Sequence, residues 1–276
     1  MTLRASASLT AGWRLHAVRV ADGHAIHGEV PATVPGCVHT DLLAAGLIPD
    51  PFLDANEALV DWVADSDWMY VTTFTVPDDV FRHEHVELLF DGLDTLATIT
   101  LNGELLGSTA NMHRSYRYEV RSLLTAADNE LAVSFRSATL YCEALRLQEG
   151  DWPSASFGRP FNYLRKMACS WGWDWGPWLT TAGIWRPVSL EGWSTDRLVS
   201  VSPTVRVDGN ERGAVEMVIT TTGTTPLTAR LRLRDPEGVV VADSAHEITG
   251  DRHELTIDGG IVRRWWPHSH GEQPLY

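Results

Sequence analysis

The chain has 276 residues, of which 44% are hydrophobic and 21% are charged. This balance is typical of a soluble globular protein with one large or two ordinary domains. The 22 basic and 36 acidic side chains leave a formal net charge of −14. Because an acidic surface repels phosphate backbones and anionic lipid headgroups, neither nucleic acid nor a membrane surface is an expected partner.

The sequence carries no recognisable signal for export or membrane insertion. The opening stretch, MTLRASASLTAGWRLHAV, lacks the apolar run of a signal peptide. No later stretch reaches the roughly 18 apolar residues of a membrane span. The three cysteines, Cys37, Cys142 and Cys169, are odd in number and have no C-x-x-C spacing. We therefore expect reduced thiols and a cytoplasmic protein.

Alternating apolar and polar residues predict β-strands in the first part of the chain. The predicted strands, rich in β-branched and aromatic residues, cover residues 68–76, 86–90, 96–101, 116–120 and 131–135. In LATITLNGELLG, the pair Asn102-Gly103 separates two apolar runs and predicts a two-residue type I′ hairpin.

Helical signals are few and short. Thr40 can cap a helix over DLLAAG that ends at Gly46, and LYCEALRLQEG predicts a second helix that ends at Gly150. The alternation of strands and long helices that builds a parallel sheet is absent from the sequence. Many short strands separated by turn residues favour an all-β sandwich.

After Trp193 the predicted strands consist of smaller residues. The segments VSVSPTVRV, AVEMVITTT, LTARLRLRD, GVVVAD and HELTID have the spacing expected of strands in an immunoglobulin-like sandwich. We place the domain boundary near residues 194–196. The final apolar pair, Leu275-Tyr276, is typical of the beginning of a further strand, so the second domain is expected to be truncated.

The segment CSWGWDWGPW, residues 169–178, is named the tryptophan loop. Its indoles alternate as on a strand, but Gly172, Gly176 and a proline interrupt a regular strand and predict a shaped loop. Asp174 stands between Trp173 and Trp175. Sugar C–H faces pack on indoles, and a carboxylate accepts hydrogen bonds from sugar hydroxyls. A sugar subsite and simple core packing of the indoles explain the segment equally well.

Six motifs, in this order along the chain, resemble the N-terminal part of β-mannosidases of glycoside hydrolase family 2. They are PGCVHTDLLAAGLIPDPF, NEALVDWVADSDWMY, FDGLDTLATITLNG, NMHRSYRYEV, FNYLRKMACSWGWDWGPWLTTAGIWRPVSLEGW and WWPHSHGEQPLY. The similarity extends over nearly the whole chain, from about Trp13 to Tyr276.

The resemblance implies an all-β fold, with a jelly-roll (galactose-binding-like) sandwich over residues 1–195 and an immunoglobulin-like sandwich over residues 196–276. In this family a catalytic (β/α)₈ barrel follows, and no part of this sequence matches it. The two catalytic glutamates of the family belong to that barrel, so no catalytic residue is expected here. The isolated chain is therefore expected to be inactive.

The resemblance also implies which residues touch the sugar. In related enzymes the tryptophan loop reaches over the barrel mouth. Asp174 would bind hydroxyls of the terminal mannose, and Trp173 and Trp175 would line the pocket. Asn56, with Glu57, resembles a second segment near that pocket, although a solvated loop cap explains this pair as well. Arg165 is expected to support Asp174 through a salt bridge, and a solvated helical face is the alternative for Arg165 and Lys166.

No cofactor or metal site is expected. The histidine pairs His83/His85 and His268/His270 alternate, but no Cys, Asp or Glu completes a tetrahedral ligand set around them, and surface histidines are expected instead. Nucleophile elbows and phosphate-binding glycine loops are absent from the sequence.

The sequence therefore predicts the N-terminal portion of an exo-acting retaining β-mannosidase that gates the subsite for terminal mannose. Its partners would be a mannose-containing oligosaccharide and a catalytic barrel. Two alternatives remain open: a stand-alone carbohydrate-binding module, and an exo-β-glycosidase for another sugar, such as a galactosidase, glucuronidase or glucosaminidase.

Overall fold

A computed structural model describes residues 4–153, 159–223 and 225–276. These residues divide into two compact units, one ending at Ser194 and the other covering Thr195–Tyr276. The strands are β1 (Arg4–Ser8), β2 (Arg14–Arg19), β3 (Glu29–Pro31), β4 (Asp67–Phe74), β5 (His85–Phe90), β6 (Ala97–Leu101), β7 (Glu104–Ser108), β8 (Tyr116–Glu119), β9 (Asn129–Phe135), β10 (Val188–Trp193), β11 (Leu198–Val207), β12 (Arg212–Thr221), β13 (Leu227–Arg234), β14 (Val240–Ile248) and β15 (Arg252–Ile261).

The first unit is a sandwich of two antiparallel sheets. One sheet has the strand order β3-β2-β4-β9-β6-β7, and the other has the order β1-β10-β5-β8. Their facing side chains form one buried cluster, which includes Trp68 and Phe135 from the first sheet and Leu88 and Leu190 from the second. The all-β jelly-roll prediction is confirmed, because non-adjacent strands pair in each sheet and the core lies between the sheets.

The predicted hairpin is present at the end of β6. Asn102 and Gly103 have φ angles of +52° and +83°. They connect a β6–β7 ladder in which Leu101 pairs with Glu104. A type I′ turn requires positive φ at both central residues, and Asn-Gly is the pair that adopts this conformation most readily.

The helices of the first unit are α1 (Val38–Ala44), α2 (Glu57–Ala64), α3 (Asp78–Phe81) and α4 (Ala138–Glu149). The predicted start of α1 was wrong: Cys37 is the N-cap, and Thr40 lies at the third helical position, where its hydroxyl accepts from the Cys37 N–H. Helix α4 ends at Gly150, as predicted.

Helix α2 lies where the sequence predicted a loop around Asn56. Its first residue is Glu57, and it buries Val60, Val63 and Ala64. A helix this short is marginal by itself, so its stability comes from packing those side chains against the core. This packing fixes the position of the acidic residues on its first two turns.

The second unit is a smaller sandwich. The order β11-β12-β15 forms one sheet and β13-β14 another, and Ile219, Leu231 and Ile257 form the buried centre between them. Strand β11 is exposed along its whole length. Together the two units give the predicted class, all-β sandwiches. Among the helices of the described residues, none has the length and apolar character that crossing a membrane requires.

Candidate functional site

The tip of the tryptophan loop is a tight turn. The backbone N–H of Trp173 donates to the carbonyl of Gly176 at 3.2 Å, and the N–H of Gly176 donates back to the carbonyl of Trp173 at 3.3 Å. Asp174 and Trp175 are the two central residues of this turn. Asp174 is exposed, and the side chains of Trp173 and Trp175 are 43% and 73% exposed. Burial therefore does not account for these two indoles.

Trp171 has the opposite role. It is 1% exposed and lies at the end of a one-turn 3₁₀ helix, Ala168–Trp171. Its ring packs with Leu96, Ala138, Cys142 and Leu164. The core-packing interpretation is thus correct for Trp171, which anchors the loop to the first unit. The side chains of Trp173 and Trp175, in contrast, are exposed to solvent.

Gly172 connects the buried anchor to the exposed turn. Its φ is +90°, a conformation that side chains other than glycine rarely adopt. A Cβ at this position would lie 1.4 Å from Cδ1 of Trp178. Only glycine therefore lets the chain reverse against the Trp178 indole.

Helix α2 supports the loop from the side. The carboxylate of Glu57 accepts a hydrogen bond from the Trp178 N–H at 2.9 Å. Asp61, one turn later, forms a 2.7 Å ion pair with Arg159, whose guanidinium lies 4.8 Å from the centre of the Trp178 ring. A carboxylate acceptor and a cation over an indole both strengthen the placement of Trp178.

Asn56 immediately precedes Glu57, the residue that is hydrogen-bonded to the tryptophan loop. Its side-chain amide donates to the carbonyl of Asp50 at 2.9 Å, and the residue is half-buried. The amide therefore closes its own turn before α2. The side-chain carbonyl oxygen of Asn56 is the atom that could accept a hydrogen bond from a ligand. A sugar contact from Asn56 stays a prediction.

Lys166 and Arg165 do not have the predicted arrangement. Arg165 is exposed, and within the described part of the chain it forms no ion pair with Asp174. Lys166 is instead completely buried and pairs with Asp94, whose two carboxylate oxygens each lie 2.5 Å from Nζ. The sequence signal that could have revealed this pair is that Lys166 is the only lysine of the chain.

His39 on α1 is electrostatically linked to this pair. The side chain is 6% exposed, and its Nδ1 has no hydrogen-bond partner among the described residues. Burial, and to a smaller extent the positive charge of Lys166, lower the pKa of His39 to about 4, against the opposing effects of Asp94 and Asp61. The imidazole is therefore neutral at pH 7.

The histidines predicted to lie on the surface differ among themselves. His83 is 1% exposed, so that prediction was wrong for this residue, and its Nδ1 lies 2.8 Å from the Ser194 hydroxyl. His85 is exposed and stacks on Trp193. Across residues 4–153, 159–223 and 225–276, no three His, Cys, Asp or Glu side chains are grouped to hold a metal ion.

The exposed tip of the loop places a polar group beside two apolar ring faces. The turn presents one carboxylate and two indole faces on a support of buried contacts. A carboxylate accepts hydrogen bonds from hydroxyl groups, and indoles pack on C–H surfaces, which together match a sugar ring. Retaining hydrolysis needs a pair of carboxyl groups about 5 Å apart. The loop supplies a single carboxylate, Asp174.

A two-sheet antiparallel β sandwich of this kind is the architecture of galactose-binding-like domains. Residues 13–186 match the family described as the glycosyl hydrolase 2 galactose-binding domain-like family, and the chain belongs to this family. The resemblance to β-mannosidases is confirmed by individual relatives. The chain is 37% identical to β-mannosidase B of Thermothelomyces thermophilus over 246 residues, which is 88% of this chain and 28% of that protein.

Two further relatives agree with this assignment. The β-mannosidase of Bos taurus is 31% identical and is matched over 98% of this chain and 32% of its own length. The crystal structure of the β-D-mannosidase of Dictyoglomus thermophilum has a TM-score of 0.84 and 33% identity, covering 97% of this chain and 33% of that one. The chain thus spans about a third of the length of the β-mannosidases that it matches.

Proposed function

We propose that the chain is the N-terminal portion of an exo-acting retaining β-mannosidase that hydrolyses terminal non-reducing β-D-mannose residues. Its own task is to shape and gate the subsite that holds the terminal mannose. The observation that carries this proposal is the turn tip at Trp173–Gly176, which holds an exposed carboxylate between two exposed indoles. The similarity to β-mannosidases over most of the chain supports mannose as the sugar.

In this proposal Asp174 accepts hydrogen bonds from hydroxyls of the terminal mannose. Trp173 and Trp175 pack on its C–H faces, and Asn56 contributes from the turn before α2. Hydrogen bonds to this carboxylate offset part of the cost of removing the hydroxyls from water. A loop from this domain across the pocket would block the binding of further sugar units at the non-reducing end. Exo action follows from that block.

The two catalytic carboxyl groups would come from a barrel that is joined to this chain in the complete enzyme. We therefore expect the 276-residue chain alone to release no product from an aryl β-mannoside. We also expect it to bind mannose very weakly, because half of the pocket is supplied by the barrel. Tight binding of mannose by the chain, measured by calorimetry, would instead favour a stand-alone carbohydrate-binding module.

Asp174→Ala, tested in the enzyme that joins this chain to its barrel, measures the sugar-binding role. A hydrogen bond to a charged group contributes about 1.5–3 kcal/mol, so kcat/KM for an aryl β-mannoside should fall roughly 10- to 150-fold. Glu104→Ala is the matched control, since it removes an exposed carboxylate on β7. Activity of Asp174→Ala within a few-fold of the parent enzyme would show that Asp174 does not bind the sugar.

A cytoplasmic location belongs to the same proposal. Its support is that Cys37, Cys142 and Cys169 are all free thiols. Free thiols are typical of reducing compartments. Cell fractionation with an antibody against the chain tests it, and recovery in an exported fraction would contradict it.

A further inference from the structure

The single lysine of the chain, Lys166, is buried in the first unit, in a cage of hydrogen-bond acceptors beside the Trp171 ring. Lys166 Nζ donates to both oxygens of Asp94, to the carbonyl of Thr181 at 3.0 Å and to the hydroxyl of Thr181 at 3.2 Å. An ammonium group has three donors, and four acceptor atoms lie within hydrogen-bond distance of this one. Such complete pairing is what makes a buried charge tolerable.

The partners of this cage lie at both ends of the tryptophan loop. Lys166 is three residues before Cys169, and Thr181 is three residues after Trp178. The Thr181 hydroxyl also donates to Asp94 at 2.7 Å. One carboxylate thus connects the chain entering the loop to the chain leaving it.

The backbone of Asp94 reinforces the same connection. Its N–H donates to the carbonyl of Gly183 at 2.9 Å, and the N–H of Gly183 donates to the carbonyl of Asp94 at 2.8 Å. Gly183 is tightly enclosed, because a Cβ there would lie 2.7 Å from the carbonyl oxygen of Gly36. The segment that leaves the loop, which includes Gly183, is therefore aligned with Asp94 in a single way.

We propose that Lys166 and Asp94 are positioning residues that set the conformation of the tryptophan loop, and through it the place of Asp174. The inference rests on the proposed function only for the task of the loop, since neither side chain reaches the exposed turn. If only apolar contacts joined the segments that enter and leave the tryptophan loop, these segments could slide past each other. Directed bonds from one ammonium group to fixed acceptors permit a single register.

The competing explanation is that the pair only stabilises the fold. The two explanations separate in the double variant Lys166→Met/Asp94→Leu, which removes both charges at similar volume. Replacing a buried ion pair by apolar side chains is often neutral for stability, whereas removing one partner leaves a buried charge unpaired. The double variant should therefore fold while losing the side-chain bonds that connect the two ends of the tryptophan loop.

The test uses the 276-residue chain labelled with 5-fluorotryptophan and observed by fluorine NMR. Trp173 and Trp175 are assigned by substitution with phenylalanine, and the buried Trp13 and Trp68 are references. We expect the double variant to shift or broaden the signals of Trp173 and Trp175 by more than their linewidths and to leave the references unchanged. A folded double variant with unchanged loop signals would overturn the proposal.

Tyr70→Phe is the matched control, because it removes the buried 2.8 Å hydrogen bond to Asp41 elsewhere in the same unit. It should lower stability without moving the loop signals, and equal movement in this control would overturn a specific role for the pair. If the double variant does not fold, Thr181→Val replaces it in the same measurement. This variant exchanges the hydroxyl that is bonded to both Lys166 and Asp94 for a methyl group, and unchanged loop signals in it would overturn the proposal.

The fluorine measurement contains no sugar, so its outcome is independent of the proposed function. Unchanged hydrolysis by Asp174→Ala would remove the sugar-binding role and leave the positioning of the loop intact. Unchanged loop signals would remove the positioning role and leave Asp174 free to bind the sugar.

Discussion

The carboxylate of Glu57 and the backbone N–H of Trp178 form a 2.9 Å hydrogen bond between residues that are 121 positions apart in the sequence. This bond joins the first residue of α2 to the end of the tryptophan loop. The ion pair between Asp61 and Arg159 adds a second support on the same helix. The loop is therefore held from the side by α2 and at its base by Lys166 and Asp94.

Glu57→Ala should loosen the end of the loop. The Trp178 N–H would lose a charged acceptor in a half-buried position, at a cost of about 1–3 kcal/mol. Hydrogen exchange of the Trp178 amide should accelerate, while amides in β4 and β9 keep their protection. Glu57→Gln is the control, since it retains an oxygen acceptor and should have a smaller effect. Equal acceleration in both variants would show that the acceptor itself is unimportant.

Gly172→Ala should disrupt the turn between the buried and exposed parts of the loop. The new methyl group meets the Trp178 indole, and the positive φ adds strain, so the free energy of unfolding should fall by about 1–3 kcal/mol. Gly176→Ala is a matched control in the same loop, because a Cβ there has nothing within 4 Å. Urea unfolding of the two variants measures the difference, and equal losses would contradict the steric argument.

Local sequence signals predicted those parts of the fold that local chemistry decides. Asn102-Gly103 specifies its hairpin because positive φ at two successive residues suits few other pairs. Strands β4 and β9 were predicted from their alternating apolar and polar residues, and α4 from the stretch LYCEALRLQEG with its final Gly150. The tryptophan loop was recognisable because glycine and proline interrupt its alternation of indoles.

The support of the loop could not be predicted in the same way. Lys166 and Asp94 are 72 positions apart, and no periodicity connects them. Helix α2 was missed because an eight-residue helix depends on tertiary packing more than on local propensity. The expected pair of Arg165 with Asp174 failed for a related reason: closeness in sequence does not fix which way a side chain of an irregular segment points.

His39 should make the stability of the first unit depend on pH. Its pKa is about 4 in the folded chain, against an ordinary value near 6.5, so the unfolded chain binds the extra proton between these pH values. The contribution of the neutral His39 to the free energy of unfolding is complete above about pH 6.5 and is lost as the pH falls towards 4. A shift of this size corresponds to roughly 3 kcal/mol.

The measurement compares urea unfolding of the parent chain and of His39→Leu at pH 7 and pH 4. The parent should lose about 3 kcal/mol more than the variant over this range. Other groups also titrate, and burial raises the pKa of Asp41, which favours the folded chain at low pH. The difference between the two proteins cancels these shared contributions. Identical losses would show that His39 is not the group responsible.

Cys142 should be the least reactive of the three thiols. It is completely buried, and burial raises its pKa to about 12, against the smaller opposing effect of the Lys166 charge. The thiolate is the reactive form. At pH 8 a thiol with this pKa is ionised about 10³-fold less than an ordinary cysteine with a pKa of 8.5, and burial also blocks the reagent.

Iodoacetamide treatment of the folded chain at pH 8, followed by peptide mass mapping, measures this difference. Cys37 and Cys169 are partly exposed and should be alkylated, while Cys142 stays unmodified. All three should react at similar rates once the chain is unfolded in urea, because the burial that protects Cys142 is then lost. Cys142→Ala confirms the assignment of the protected thiol. Alkylation of Cys142 in the folded chain as fast as of the other two would mean that the core around Trp171 opens readily, and with it the anchor of the tryptophan loop.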